Sequence, residues 1–459
     1  MKKKFLIILL IIIIMPILAY AKNTDEQPAN HIEYMNLAWW KKYNDEYLVN
    51  NLIKLYENNY DLKNAALKVK ENEQAVKMQF ASELPYLGLS GQLYRELRSS
   101  LQQFGESMQI PSYAQYNYYL PLTASYEIDI WGSNRLKTKS IKQNLEIIKQ
   151  AERATYISLT SDFVTDYYNL IRADELLSIQ NEIIKTQEEI VEKITDKHES
   201  GLCSVNEVLA EQRILTALKE ERNRHIKTRD ILIDSMRVYL SDSSADIIRS
   251  SYEDIIMLNN IPLKYSSDVI ENRPDYKQEE ANIKRIGFDV KVAKREFLPK
   301  FIIFGQIGLN AYHLDTLFNS ASHMASAGIL PSIDLFSGGK KIALLKLKKY
   351  EYEEALNNYQ KTILNGIKDI NSGLIEYKDA QENYKESTNR LNMQDKTYSL
   401  MKDKSKIGSA SDLDVLYAKE AYLTVKKENV SNKINSLIST IGLYKAAGGI
   451  DLYSLNEDI

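Results

Sequence analysis

Cysteine, glycine and proline are scarce in this sequence. Cys203 is the single cysteine, so the chain cannot form an internal disulfide. No cysteine stands near Ala21, where an exported chain would receive a lipid, and a lipid anchor is therefore excluded. The 17 glycines and nine prolines among 459 residues predict long, uninterrupted helices, because both residues disfavour the interior of a helix.

Long apolar runs are also missing, apart from one at the start of the chain. Phe5 to Leu18 is apolar, follows Lys2-Lys3-Lys4 and precedes the small-residue site Ala19-Tyr20-Ala21. This pattern predicts a signal peptide at residues 1–21. A membrane anchor is the alternative, but the run is shorter than the roughly 20 apolar residues that a spanning helix needs. We therefore expect an exported protein.

Clusters of one charge and metal-binding spacings are lacking too. The formal net charge is −3 and no basic tract is present, which argues against nucleic acid as a partner. The five histidines show no metal-ligand spacing. We expect no metal site and no cofactor.

What the chain does contain is an internal duplication. Residues 84–92 reappear as 298–306, residues 125–132 as 332–338, and residues 201–209 as 408–416. Each copy reads as a helix, a pair of strands, a long helix, a tight turn and a second long helix. We predict two structural repeats, 22–255 and 256–459, neither of which can close a sheet or bury a helix face alone.

Apolar residues recur every seven positions in both copies, a spacing typical of supercoiled helices. The predicted long helices span residues 133–199 and 204–240 in the first copy, and 339–406 and 411–446 in the second. Small residues form a further seven-residue stripe in the second copy, which indicates close approach of another backbone. The members of the three stripes are Tyr156, Phe163, Leu170, Leu177, Ile184 and Val191; Leu356, Ile363, Ile370, Tyr377, Tyr384, Leu391 and Tyr398; and Gly366, Gly373, Ala380 and Ser387.

Four segments alternate between apolar and polar residues, as strands with one polar face do. They are predicted at residues 86–95, 116–130, 301–311 and 324–335. The alternation over 116–130 is long enough to cross a bilayer when tilted, at about 3.3 Å per residue. A membrane barrel needs about eight strands or more, so several copies of the chain must each contribute four.

Two motifs enter the predicted long helices and carry a family resemblance. Residues 126–132 read Tyr-Glu-Ile-Asp-Ile-Trp-Gly, and residues 331–340 read Pro-Ser-Ile-Asp-Leu-Phe-Ser-Gly-Gly-Lys. With the duplicated frame, they resemble the TolC-like outer-membrane efflux channel family, closest to its OprM and NodT branch. The resemblance implies an α+β membrane protein: a homotrimer with a shared 12-stranded barrel in the outer membrane and a coiled-coil tunnel in the periplasm. It also implies a periplasmic adaptor and an inner-membrane transporter as partners, and a passive conduit rather than an enzyme.

The resemblance also points to candidate gate residues at the hairpin tips. Asp414 matches an aspartate that rings the aperture in TolC-type chains, whereas Tyr417 stands where TolC has a second one. Asp412 and Glu207 are further acidic candidates. The alternative is that acids in the first turn of a helix stabilise its dipole, by about 0.3–1 kcal/mol.

The tips are also where an adaptor from the inner membrane could reach the chain. The candidate contacts are Gly201, Ser204, Val205, Gly408, Ser411 and Leu413. Ordinary turn and capping chemistry is the alternative role for these residues. Cys203 is expected to be an incidental small residue of the tip.

A secreted periplasmic coiled-coil scaffold or adaptor without a pore is the alternative function. It would account for the seven-residue stripes but not for two strand pairs inserted at matching places. The sequence does not identify the cargo, which could be a drug, a metal ion or a polypeptide.

Overall fold

The computed structural model describes residues 31–98, 113–258, 261–262 and 268–453. The predicted signal peptide and most of the loop between the first two strands lie outside these residues. None of the helices in the described ranges is long and apolar enough to cross a membrane.

Long helices dominate the described chain. Two of 67 residues, each about 100 Å long at about 1.5 Å per residue, are followed by helices of 35 residues. The α-helices are α1 Leu37–Trp40, α2 Glu46–Asn58, α3 Tyr60–Ala81, α4 Ser133–Glu199, α5 Val205–Tyr239, α6 Asp268–Asn272, α7 Pro274–Arg295, α8 Lys340–Lys406 and α9 Asp412–Ala446. Short 3-10 turns lie at His31–Met35, Lys41–Tyr43, Tyr252–Asp254, Leu314–Thr316 and Ser320–Ser322.

Helix α4 begins directly after a short connection that contains Asp129 and Gly132. Gly132 has a φ of 69°, and the Asp129 carboxylate accepts hydrogen bonds from the amides of Asn134 and Arg135 at 3.1 and 3.0 Å. Partial burial acts to raise the pKa of Asp129, but the hydrogen bonds from Arg135 and Asn134 outweigh it and the pKa is lowered. The carboxylate therefore satisfies amides that the first turn leaves without a partner.

The strands form one antiparallel sheet in the described chain. They are β1 Tyr86–Leu89, β2 Gln92–Arg98, β3 Tyr113–Glu127, β4 Lys300–Ala311 and β5 His323–Ser332. Both β1 and β2 pair with β3, which pairs with β4, which pairs with β5. Because β1 and β2 pair one after the other along the same side of β3, we call them together the β1–β2 line. Among the described strands, the β1–β2 line and β5 are the two edges of the sheet.

Three predicted strands differ from the structure. The segment predicted as 86–95 is two strands interrupted at Ser90 and Gly91, and it continues to residue 98. The segment predicted as 116–130 runs from 113 to 127, because Asp129 is used to cap α4 instead of continuing the ladder. The segment predicted as 324–335 ends at Ser332.

The strand register divides the sheet into an apolar and a more polar face. Leu122 stands opposite Leu89 on β1 and Ile307 on β4, and Ile307 stands opposite Ala325 on β5. The adjacent position, Thr123, belongs to the other face. The apolar face holds Leu87, Leu89, Leu93, Leu97, Tyr116, Tyr118, Leu120, Leu122, Ala124, Tyr126, Ile303, Ile307, Leu309, Ala325, Ala327 and Ile329, together with the polar residues Arg95 and His323. The other face is mixed: it holds the polar residues Gln92, Glu96, Asn117, Thr123, Ser125, Glu127, Gln306, Asn310 and Ser326, and also Tyr86, Tyr94, Tyr119, Ile302, Phe304, Met324 and Leu330.

Helix α4 lies at the centre of the helical part, in contact with α3, α5, α7 and α9. Helix α8 packs on α9 and α7 and has a smaller contact with α6. In the chain alone, Val208 and Met236 are the buried residues of α5. Helix α8 likewise leaves Leu347, Tyr350 and Leu364 more than half exposed. The outer sides of α5 and α8 are therefore exposed in the described part of the chain.

The small-residue stripe of α8 is packed closely, as the sequence predicted. Gly366, Gly373 and Ser387 are buried, and a Cβ added at Gly373 would lie 3.2 Å from Leu443 Cδ1 on α9. Asn429 of α9 donates to the Ser387 hydroxyl at 3.1 Å.

The main apolar core lies around the middle of α4 and the C-terminal ends of α5 and α9. Phe163, Tyr167 and Leu170 of α4 are fully buried there. Trp39 near the start of the described chain stacks on Tyr444 of α9, with ring centroids 5.4 Å apart and an interplanar angle of 6°. The core thus joins the first and last described helices to the middle of both hairpins.

Candidate functional site: the hairpin tips

Each pair of long helices ends in a tight turn that requires glycine. Gly201 and Gly408 have φ angles of 73° and 74°, in the left-handed region. The amides of Leu202 and Ser409 donate back to the carbonyls of Lys197 and Lys404, both at 2.8 Å. This is the Schellman ending of a helix, in which glycine avoids the steric cost of a Cβ.

Matching capping boxes start the returning helices. The Ser204 amide and hydroxyl donate to Glu207 Oε1, both at 3.0 Å. At the second tip, the Ser411 amide and hydroxyl donate to Asp414 Oδ2 at 2.8 and 2.7 Å, and the Asp414 amide donates to the Ser411 hydroxyl at 3.2 Å. Ser204, Glu207, Ser411 and Asp414 therefore all make the helix-capping contacts that were considered as the alternative to a gate or adaptor role.

These hydrogen bonds lower the pKa of Glu207 and of Asp414, so both carboxylates stay ionised at a lower pH than usual. The amide and hydroxyl of Ser204 lower the pKa of Glu207. The hydroxyl and amide of Ser411 lower the pKa of Asp414. Both carboxylates are exposed and charged at neutral pH, so capping is compatible with a second, electrostatic role toward passing ions.

The two tips lie side by side. Leu413 of α9 joins Ile190, Ile194 and Val208 in one buried cluster. Because Leu413 is only 6% exposed, its side chain supports the tip from inside and is not available as a surface contact. The expectation for Leu413 is therefore revised. Val205, at 52% exposed, remains accessible, as do Leu202 and Ile407, which the sequence reasoning did not select.

Tyr417 makes a polar link between the hairpins. Its hydroxyl donates to Glu211 Oε1 on α5 at 2.9 Å. Burial and then this hydrogen bond raise the pKa of Tyr417 to about 12. Burial, and then the charge of Glu211, also raise the pKa of Glu420 on the next turn of α9. At the position where TolC has a second aperture aspartate, this chain has a tyrosine that links its two hairpins.

A second link lies farther from the tips. Lys427 of α9 donates to Glu221 Oε1 on α5 at 2.6 Å and to Gln180 Oε1 on α4 at 2.7 Å. Neither link was found from the sequence, because both join residues about 200 positions apart and no local pattern relates them.

A groove of about 420 Å³ separates the first hairpin from the second beside the tips. Glu189 and Glu192 line it from α4, and Lys402 and Lys406 line it from α8. Asp412 also lines this groove, together with Val415 and Leu416. Asp412 and Asp414 therefore have different surroundings although they are two residues apart.

Cys203 has a local structural contact in the first tip. Its thiol lies 3.4 Å from the Ile194 carbonyl, and its own carbonyl lies 2.9 Å from His198 Nδ1. Both contacts join the turn to the last turns of α4.

A sequence profile described as Outer membrane efflux protein matches residues 52–232 and 265–449. The chain belongs to this family. It is an outer-membrane efflux protein, and the expected resemblance, location and export role are confirmed.

Individual relatives are similar over nearly their whole length. The probable efflux pump outer membrane protein TtgC of Pseudomonas putida is 24% identical over 417 residues, which cover 90% of this chain and 85% of the relative. The cation efflux system protein CusC of Escherichia coli O157:H7 is 22% identical over 429 residues, covering 91% and 89%.

Solved structures share the fold. The CmeC outer membrane channel of Campylobacter jejuni gives a TM-score of 0.82 at 23% identity, covering 90% of this chain and 88% of that one. VceC of Vibrio cholerae gives 0.78 at 18% identity, covering 90% and 98%. The coarse fold prediction, a mainly helical protein with a sheet of the TolC-like type, is confirmed.

Proposed function

We propose that three copies of this chain form the outer-membrane exit channel of a tripartite export system. Each copy contributes its β1–β2 line, β3, β4 and β5 to a 12-stranded barrel, and its long helices to a coiled-coil tunnel in the periplasm. The structural repeats 22–255 and 256–459 supply equal shares of both parts. The conduit is passive and is opened at its tips by a periplasmic adaptor and an inner-membrane transporter.

The sheet is the observation that carries this proposal. Its apolar face has the composition of a lipid-facing wall, and its other face is polar enough to meet water. Its two edges carry backbone groups that have no ladder partner among the described strands. A free edge in lipid is energetically prohibitive, so the edges must be paired with those of further copies.

The helices support the same assembly. The outer sides of α5 and α8 expose apolar residues such as Ile231, Leu347 and Leu364 along the rods. Burial in neighbouring chains removes this surface from water, at about 25 cal/mol per Å². A coiled-coil scaffold without a pore would cover the helices but leave the apolar face of the sheet without a partner.

The tips are proposed as the gate and the adaptor contact. Asp414 is the first candidate for an acidic ring, which would attract cations and favour their passage. Asp412 and Glu207 rank after it, and Tyr417 acts through Glu211. The exposed turn residues Gly201, Ser204, Val205, Gly408 and Ser411 offer the adaptor surface, with Leu413 as internal support.

Two neighbouring positions of β3 test the orientation of the sheet. Leu122→Arg places a charge on the apolar face, which costs about 2–4 kcal/mol near the middle of a bilayer. Thr123→Arg places the same charge on the opposite face. We expect Leu122→Arg to abolish insertion into outer membranes, and Thr123→Arg to insert, to conduct in planar bilayers and to shift the ion selectivity toward anions. If both variants inserted equally and neither conducted ions, the proposed channel function would be contradicted.

A further inference from the structure

The mixed face of the sheet, which lies opposite the apolar face, changes character along the strands. At the end where β3 leads into α4, its first two rows of opposed residues are Glu127, Ile302 and Leu330, and then Tyr86, Ser125, Phe304 and Gly328. The third row, farther from the helices, is Gly88, Thr123, Gln306 and Ser326. Aromatic and large aliphatic side chains therefore meet in the first two rows, and polar side chains follow in the third.

The two aromatic rings of these rows each lie over a glycine. The Tyr86 ring covers Gly88 of its own strand, where an added Cβ would lie 2.8 Å from Tyr86 Oη. The Phe304 ring covers Gly328 on the neighbouring strand, where an added Cβ would lie 2.9 Å from Phe304 Cζ. The absence of a side chain at both positions lets the rings rest against the sheet. Tyr86 is 67% exposed and Phe304 42%, so both rings present a surface to solvent.

A small residue separates the two rings. Ser125 of β3 stands between Tyr86 and Phe304 in the same row and is exposed. The two ring-bearing strands are separated by β3, which places them about 10 Å apart at the usual strand spacing. A planar ring system can therefore lie over Ser125 and reach both aromatic side chains.

A carboxylate lies beside the rings on the same face. Glu127 is two residues beyond Ser125 on β3, about 7 Å along the strand. Lys300 is the cation on this face next to Ile302, and its Nζ lies 3.6 Å from a carboxylate oxygen of Glu296, which offsets its charge. The charge of Glu127 and the negative faces of the rings therefore both attract a cation.

We propose that Tyr86, Phe304 and Glu127 form a binding patch for planar aromatic cations. The ring system of the ligand stacks on the two aromatic side chains, and its positive charge faces the carboxylate. This inference rests on the proposed channel, in which the mixed face lines the lumen, and it names a class of cargo for that channel. Three copies repeat the patch around the passage at the level where the barrel joins the tunnel.

Other classes of cargo fit the patch less well. The Glu127 carboxylate repels anions. A metal cation needs several oxygen ligands, whereas the first two rows contain one carboxylate. A neutral apolar molecule can contact Ile302 and Leu330 but gains nothing from the charge. An aromatic cation uses both the rings and the carboxylate.

Block of the ion current in planar bilayers tests the patch. The probes are ethidium, a planar aromatic cation, and tetraethylammonium, an aliphatic cation of the same charge, each added on the side of the strand loops. Each contact between a cation and an aromatic ring strengthens binding about two- to fivefold. With two rings, we expect ethidium to half-block the parent channel at a concentration about tenfold lower than tetraethylammonium does.

Variants separate the rings from the charge. Tyr86→Leu with Phe304→Leu keeps apolar side chains over both glycines and removes the aromatic faces. It should raise the half-blocking concentration of ethidium about tenfold and leave that of tetraethylammonium unchanged. Tyr86→Phe keeps the ring and should behave as the parent does. Glu127→Gln should weaken the block by both cations.

Tyr94→Leu is the matched control. Tyr94 is an exposed aromatic residue of the same face, but it stands opposite Asn117, far from the first two rows. Its replacement should leave the block by ethidium unchanged.

Failures of the patch and of the channel give different results. A conducting parent with the same half-blocking concentration of ethidium as the leucine double variant would overturn the patch and keep the channel. If the double variant did not insert, equal ethidium block of the parent and Glu127→Gln would overturn the patch instead. Absence of conductance from the parent and from every variant would overturn the proposed channel and the patch together.

Discussion

The hydroxyl of Tyr417 on α9 donates a 2.9 Å hydrogen bond to Glu211 Oε1 on α5, joining the two hairpins of one chain close to their tips. The tie is a direct polar contact between the second hairpin and the first. Opening of the tips by a twist of either hairpin would lengthen or break this bond. If the tips act as the proposed gate, the strength of this bond contributes to the balance between closed and open tips.

Tyr417→Phe removes the hydroxyl and should favour the open state. A hydrogen bond of this kind contributes about 1 kcal/mol, which is a change of about fivefold in the ratio of open to closed channels. Single-channel recording in planar bilayers measures this ratio. Tyr359→Phe is the control, because Tyr359 donates to Tyr276 on α7, away from the tips. Equal open probabilities for all three proteins would show that the tie does not restrain the gate.

Replacement of Asp414 separates its charge from its capping role. Asp414→Ala loses both, and should raise the resting conductance or weaken the block by multivalent cations. Asp414→Asn retains an oxygen that can accept from Ser411 and should weaken the block alone. Because hydrogen bonds lower the pKa of Asp414, the block of the parent channel should persist at pH values where an ordinary aspartate is already protonated.

The matched control for this charge is Asp412→Asn. It removes the same charge from the groove between the hairpins and should have a smaller effect on the block. The gate role of Asp414 would be refuted by unchanged conductance and block in both Asp414 variants.

Glu152 should make the stability of the chain depend on pH. It is 2% exposed on α4, and burial raises its pKa to about 7, with Lys149 lowering and Glu73 raising it. The folded chain therefore holds a proton that the unfolded chain releases between the ordinary value of 4.5 and about 7. Rising pH through this window destabilises the fold, by about 1–2 kcal/mol after screening.

Thermal unfolding of Glu152→Gln in detergent at pH 5 and pH 8 measures this effect. The variant should lose less stability than the parent between the two values. Glu182→Gln, an exposed glutamate of the same helix, should behave as the parent does. An identical pH dependence in parent and Glu152→Gln would contradict the assignment.

Two helical glycines should respond oppositely to larger side chains. Gly373→Leu drives a side chain into Leu443, 3.2 Å from the first added carbon, and should cost about 1–3 kcal/mol of stability. Gly442→Ala on α9 meets nothing within 4 Å in the chain and should gain about 0.5–1 kcal/mol from helix propensity. Denaturant titration compares the two. A gain of stability from Gly373→Leu would show that α8 and α9 are not held at this distance.

Local patterns were sufficient for much of the fold. The turns at Gly201 and Gly408 and the caps at Ser204 and Ser411 mark where the long helices end and begin. The two-residue alternation of β3 separates Leu122 from Thr123, and pairing preserves this separation in every strand.

Contacts between distant segments were not predictable in the same way. The break of the first strand at Ser90 and Gly91 depends on how it bends along β3. The bond from Tyr417 to Glu211 depends on the rotation of two helices about their axes, which a seven-residue stripe does not define. Burial of Leu413 follows from the side-by-side tips, a relation that neither repeat contains alone.

The oligomeric mass of the protein extracted by detergent from purified outer membranes tests the central claim most directly. We expect a trimer that dissociates on heating, because the proposed barrel and tunnel each require more than one copy of the chain. A monomer or dimer released with the soluble periplasmic fraction would contradict the channel and favour a coiled-coil scaffold instead.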